Sequence, residues 1–104
     1  MSTAEVHLAI VAKMVAKPGL SGEVAEFLAG ALGLANEEAG TTVWFALRTD
    51  DTTFWIVDAF PTAADRRAHL DGPIAAALMA NAERLLAAPP ELNMAEVLAA
   101  KVPG

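Results

Sequence analysis

Residues 42–60 read TVWFALRTDDTTFWIVDAF, and the fold turns on how this stretch is read. Thr42 to Thr49 and Thr53 to Phe60 are both rich in β-branched and aromatic residues, which suit a pleated, half-buried surface. Asp50-Asp51-Thr52 separates them, so the two segments are predicted to pair as an antiparallel hairpin with its register centred on Asp51. Strand alternation then puts Trp44, Ala46 and Arg48 on one face, and Phe54, Ile56, Asp58 and Phe60 together in a second set. Alternation does not decide which set faces a pocket.

Upstream, Val6 to Lys17 carries apolar residues on both alternating sets: Val6, Leu8, Ile10, Ala12 and Met14 on one, Ala9, Val11 and Val15 on the other. Such a segment is predicted to be a strand covered on both sides. Pro18-Gly19 ends it as a turn pair. Leu20, Val24, Phe27, Leu28, Ala31, Leu32 and Ala35 then recur at three- and four-residue spacing, predicting one amphipathic helix of about five turns that stops near Gly40. Gly30 and Gly33 inside it signal either close packing or a weak last turn.

Downstream, Thr62 and Asp65 have capping-box spacing, so a helix is predicted to begin at about Ala63. Asp71-Gly72-Pro73 interrupts it. Ile74 to Ala87 resumes it, with Pro73 in the first turn and Asp71 available as the cap. Pro89-Pro90 closes the helical arm, and Leu92 to Val102 is taken as the last strand. The order β-α-β-β-α-β over residues 1–104 is the split βαβ arrangement of a ferredoxin-like α+β domain with a four-stranded antiparallel sheet. Helices would cover one sheet face and leave the other apolar and bare, which predicts a homodimer formed through the sheets.

Composition narrows the function. At 104 residues and 55% hydrophobic, the chain has a core for one domain and an apolar excess in need of cover. The longest apolar run, Ile74 to Ala80, is far short of the roughly 20 residues of a membrane span. Met1 to Glu5 shows no secretory signal, so the expected location is cytoplasmic. The absence of cysteine removes disulfides and thiolate chemistry, and His7 and His69 are too far apart in sequence for a local metal-ligand pair, so no metal is expected. A net charge of −6 with scattered basic residues argues against a nucleic-acid partner.

Taken in order, the first strand running into Lys17-Pro18-Gly19, the hairpin segment Thr53 to Phe60, and Arg67-Ala68-His69-Leu70 resemble the antibiotic biosynthesis monooxygenase domain family over nearly the whole chain. That resemblance implies a dimeric α+β barrel, a pocket between each subunit's sheet and helices, and oxidation of aromatic polyketides or quinols by dioxygen with no cofactor. The family's haem-degrading branch uses an Asn on the first strand, a Trp before the second helical piece and a His within it. Val11, His69 and Met79 stand at those positions, which disfavours haem chemistry and puts His69 beside the pocket.

His69 is the leading candidate for acid–base chemistry, since imidazole exchanges a proton near neutral pH; at a helix break it could equally cap free carbonyls. Arg48 either forms a structural ion pair with Asp58 or stabilises a phenolate. Trp44, Trp55, Phe60, Val11 and Met79 are the candidate walls for a flat substrate, with core packing as the alternative for the aromatic residues. The expected function is a cofactor-independent monooxygenase of a small aromatic, polyketide or quinol-like substrate. The alternatives are a non-catalytic binder of a hydrophobic metabolite, or an isomerase or lyase on the same scaffold.

Overall fold

The computed structural model describes residues 5–103. The leader reading of Met1 to Glu5 thus lies, for its first four residues, outside the described part. Eight elements follow one another: β1 (Leu8–Val15), α1 (Ser21–Gly30), α2 (Leu32–Glu37), β2 (Val43–Arg48), β3 (Thr53–Phe60), α3 (Ala63–Leu70), α4 (Pro73–Leu85) and β4 (Glu91–Glu96). The strands form one open antiparallel sheet in the order β2-β3-β1-β4. This is the ferredoxin-like topology expected from the sequence.

The hairpin has the predicted register. Arg48 pairs with Phe54 and Trp44 with Asp58, a register centred on Asp51. Asp50 shapes the turn: its Oδ1 accepts from the backbone N–H of Thr52 at 3.0 Å and of Thr53 at 2.9 Å. These bonds, led by the one from Thr52, favour the ionised form and hold the Asp50 carboxyl below its ordinary range.

Cross-strand partners share a face. Ile10, Ala12 and Met14 of β1 therefore lie with Asp58, Ile56 and Phe54 of β3 and with Trp44 and Ala46 of β2. Against this face pack Val24 and Leu28 of α1 and Leu78, Ala82 and Leu85 of α4, making the main core, with Phe60 and Met14 its largest fully buried side chains. Each large apolar side chain so removed from water contributes about 1.5–3 kcal/mol.

The first helical arm departs from the expected single helix by breaking at Ala31, whose N–H bonds back to Leu28 O at 3.1 Å. A Cβ on Gly30 or Gly33 would meet no atom within 4 Å, so neither glycine serves a close approach. The low helix propensity of the two glycines accounts for the break. It turns α2 so that Ala31 and Ala35 bury against Ile74 at the start of α4.

The second arm follows its caps. Thr62 Oγ1 accepts from Asp65 N at 3.1 Å and starts α3. Asp71 ends α3 rather than capping α4, whose N-cap is Gly72 with Pro73 next to it. The final strand is shorter than predicted, stopping at Glu96. Backbone bonds from Lys17 N to Leu85 O and from Ala87 N to Val15 O, both under 3 Å, tie the end of α4 to β1. Gly19, at φ 82°, supplies the left-handed turn that ends β1. Among the described residues no helix is long and apolar enough to cross a membrane.

Candidate functional site

Asp58 sits in an otherwise apolar row of β3, on the helix-covered face, and is 1% exposed. A carboxylate in such a place needs a partner, because an unpaired buried charge is strongly disfavoured. The expected partner was Arg48, and here the structure corrects the reading. Arg48 lies on β2 four residues beyond Trp44, the residue that pairs with Asp58, or about 13 Å along the strand. Its guanidinium donates instead to the carbonyls of Asp50 and Asp51 at the exposed turn and stacks 5.1 Å from the Phe54 ring centroid.

The partner of Asp58 is His69. Near the end of α3, the imidazole turns inward, 7% exposed, with Nε2 2.9 Å from Asp58 Oδ2. Its other nitrogen, Nδ1, is 2.6 Å from Glu38 Oε1, in the loop after α2. His69 therefore bridges two carboxylates and caps no carbonyl. Glu38 is itself fixed by the Thr41 hydroxyl, which donates to the same Oε1 at 2.7 Å. The Phe60 ring, fully buried, closes one side with its centroid 5.3 Å from that of His69.

Only an imidazolium carries a donor on each ring nitrogen, so the charged form alone satisfies both carboxylates at once. Burial by itself lowers the pKa of His69. The hydrogen bonds to Asp58 and then Glu38, together with their charges, outweigh it and hold the group above the ordinary histidine value. Among the described residues Asp58 Oδ1 and Glu38 Oε2 are buried without a hydrogen-bond partner, as is Trp44 Nε1 on the strand beside Asp58. No group of three or more ligands able to hold a metal ion is present among the described residues. Each carboxylate here takes a different side of the ring, so the three do not converge on one point.

A cleft of about 160 Å³ opens beside the array, walled by Glu38, Gly40, Thr41, Asp65, Ala68, His69, Gly72 and Pro73. It lies between the α2–β2 loop and the junction of α3 with α4. Larger depressions exist elsewhere, one over Arg67, Leu70, Leu92 and Met94, one beside Met79 and Pro90 and one beside Arg48 and Phe54, but none of the three touches the array.

Of the residues singled out from sequence, the fold brings His69, Phe60 and Trp44 together on the helix side of the sheet. It sets Val11 and Trp55 on the opposite sheet face, Val11 paired with Val57, and Trp55 beneath Lys13 with the ammonium 5.7 Å from the ring. Met79 is an exposed residue of α4. Arg66 of α3 reaches back to the carbonyls of Ala9 and Ala95 at 3.3 Å. Sequence reading missed Glu38 entirely. A glutamate one residue past a helix end resembles any solvated terminus, and nothing local marks it as paired. Asp58 did carry a signal, as a lone acid in an apolar strand.

No family model matches the chain, and no curated protein does. Among solved structures, the NE2512 protein of unknown function from Nitrosomonas europaea is 54% identical over 95% of this chain and 96% of that one, with a TM-score of 0.93. The chain belongs to the same family as that protein. At lower identity it shares its fold with PA3566 from Pseudomonas aeruginosa (19% identical, 94% and 100% covered, TM-score 0.77). It also shares it with a Nitrosomonas europaea protein described as a "putative antibiotic biosynthesis monooxygenase" (16% identical, 94% and 96% covered, TM-score 0.79). The ferredoxin-like α+β fold of the chain is therefore the one expected, with a four-stranded antiparallel sheet.

Proposed function

We propose that the protein is a cofactor-independent monooxygenase of a small, single-ring phenol or quinol. The observation that carries this reading is the buried Asp58–His69–Glu38 array on the wall of a cleft, an acid–base centre in a fold shared with a protein described as a "putative antibiotic biosynthesis monooxygenase". The cleft is smaller than the roughly 300–1,000 Å³ usual for drug-sized ligands, which favours one ring over a polycyclic polyketide.

The reaction balances on the substrate and dioxygen alone. The array takes a proton from the quinol O–H, and the electron-rich ring carbon forms a C–O bond to dioxygen, giving a hydroperoxide once that proton is returned. Loss of the C–H proton from the same carbon breaks the O–O bond and leaves a carbonyl. The departing hydroxide takes up that proton and leaves as water, so a quinol and dioxygen give a hydroxyquinone and water. Closing the array away from solvent strengthens its electrostatic effect on the developing charge. Oxygen uptake with a panel of single-ring hydroquinones, with one atom of labelled dioxygen recovered in the product, is the expected result. No uptake above the uncatalysed rate across the panel would overturn the reading.

The occupied ring nitrogens of His69 favour one second reading, a binding protein for a small hydrophobic metabolite. Under it, His69→Ala would retain ligand affinity wherever the fold persists.

The same proposal includes a homodimer formed through the outer sheet face. There Phe45 and Leu47 are 55% and 45% exposed, beside half-buried Val11, Trp55 and Val57, an apolar surface that the chain's own helices leave uncovered. Sedimentation at micromolar concentration should show a species of twice the chain mass.

A further inference from the structure

We infer that Glu38 is the residue that meets the substrate, its Oε2 accepting the substrate O–H, and that His69 and Asp58 act through it as positioning residues. This deepens the monooxygenase reading and rests on it for the reaction, though not for the binding site.

Three observations lead to Glu38. Both nitrogens of His69 are already committed to carboxylates, so the imidazole has no lone pair to offer a ligand. Asp58 is 1% exposed beneath His69 and does not line the cleft. Glu38 does line it, and its two oxygens are unequal. Oε1 receives both donors, His69 Nδ1 and the Thr41 hydroxyl, while Oε2 is buried and unpartnered among the described residues. A buried carboxylate oxygen without a donor is disfavoured, and a ligand hydroxyl in the cleft would satisfy it.

Gly72 stands beside that oxygen. A Cβ there would stand 3.3 Å from Glu38 Oε2 and 3.2 Å from the carbonyls of Ala68 and His69. Its backbone φ of −92° is open to other residues, so the glycine serves space and not conformation.

The ligand class follows from charge. Glu38 and Asp65 both line the cleft, and His69, its one cation, is already paired to two carboxylates. A neutral phenol or enol that donates a hydrogen bond fits, whereas an aromatic carboxylate of the same size meets repulsion over distances too short for screening. An ordinary phenol and an ordinary carboxyl differ by about six pKa units, so complete transfer is uphill. Acidic phenols and quinols, whose electron passes on to dioxygen, are the substrates that such an acceptor can serve.

The test separates this inference from the proposed function. Binding of 4-nitrophenol, whose ionised form is coloured, is measured without oxygen; 4-hydroxybenzoate should bind the wild type at least tenfold more weakly than 4-nitrophenol. Glu38→Gln should narrow that gap to about threefold or less. With the best quinol of the panel, it should lower kcat at least a hundredfold with KM within about threefold. Asp58→Asn, which leaves the cleft lining untouched, should lower kcat tenfold or more at constant KM, a split that a purely structural residue would not produce. If Glu38→Gln does not fold, Gly72→Ala should weaken 4-nitrophenol binding at least tenfold in a folded protein. Failure of folded wild type to bind 4-nitrophenol, or turnover within twofold of wild type in Glu38→Gln, overturns the inference. Discriminating binding by the wild type, lost in Glu38→Gln, together with no oxygen uptake on any substrate, supports the site while removing the monooxygenase.

Discussion

The two faces of the sheet are made from the same alternating strands and end in opposite conditions. On the helix side, Ile10, Ala12, Met14, Phe54, Ile56 and Phe60 surround one acid, Asp58, and that acid is answered within the chain by His69 and, through it, Glu38. On the outer side, Val11, Phe45, Leu47, Trp55 and Val57 carry comparable apolar character, yet among the described residues no helix covers them. An apolar side chain accepts any apolar neighbour, including one from another molecule. A buried charge needs an opposite charge or hydrogen-bond donors set in contact with it, and for Asp58 this chain supplies the imidazolium itself.

The contrast breaks most visibly at His69. His69→Ala strips both carboxylates of their shared donor and should destabilise the chain by about 3–5 kcal/mol, read as a lower urea midpoint with an unchanged slope. A loss below about 1 kcal/mol would mean that the array is no more than a surface ion pair. On the outer side, Phe45→Asp should leave the stability of the isolated chain within about 0.5 kcal/mol, as for an ordinary surface site. It should also raise the dissociation constant of the dimer at least tenfold, which is about 1.4 kcal/mol, measured by sedimentation across a dilution series. Equal effects on fold and association would erase the distinction between the faces.

pH sharpens the comparison further. His69 has a folded pKa above that of the unfolded chain, so its stabilising contribution is complete below the unfolded value and declines as pH rises through the folded one. Unfolding free energy should therefore fall on going from slightly acid to alkaline solution. His69→Gln should remove that slope, while Phe45→Asp should keep it. The smallest effect concerns the element that delivers His69: Thr62→Ala removes the acceptor at the start of α3 and should cost about 1 kcal/mol, visible as a modest drop in thermal midpoint with the pH slope intact.

Much of this is legible in the amino-acid sequence. The hairpin register about Asp51, the Pro18-Gly19 turn, the Thr62 cap and the second helical break all rest on near neighbours in sequence, and each is found where periodicity and turn chemistry place it. The break at Ala31 was less visible, because its apolar stripe continues across Gly30 and Gly33 and stripe counting does not register a local weakness. Asp58 was recognisable as an acid in need of a partner. Arg48 looked suitable because it shares the hairpin, but along a strand four residues is too far for a side-chain pair.

The amino-acid sequence by itself determined the order of elements, the sheet's alternation and the presence of one out-of-place acid, since all three arise from contacts between residues close along the chain. Tertiary structure alone decided that this acid meets His69, that Glu38 joins from the far side of the ring, and which tryptophan lies toward the helices. Those outcomes depend on Coulombic and packing contacts between a loop, a strand and a helix, with Glu38 and His69 31 residues apart. Charges that must pair when buried are matched by position in space, and no local pattern records that position.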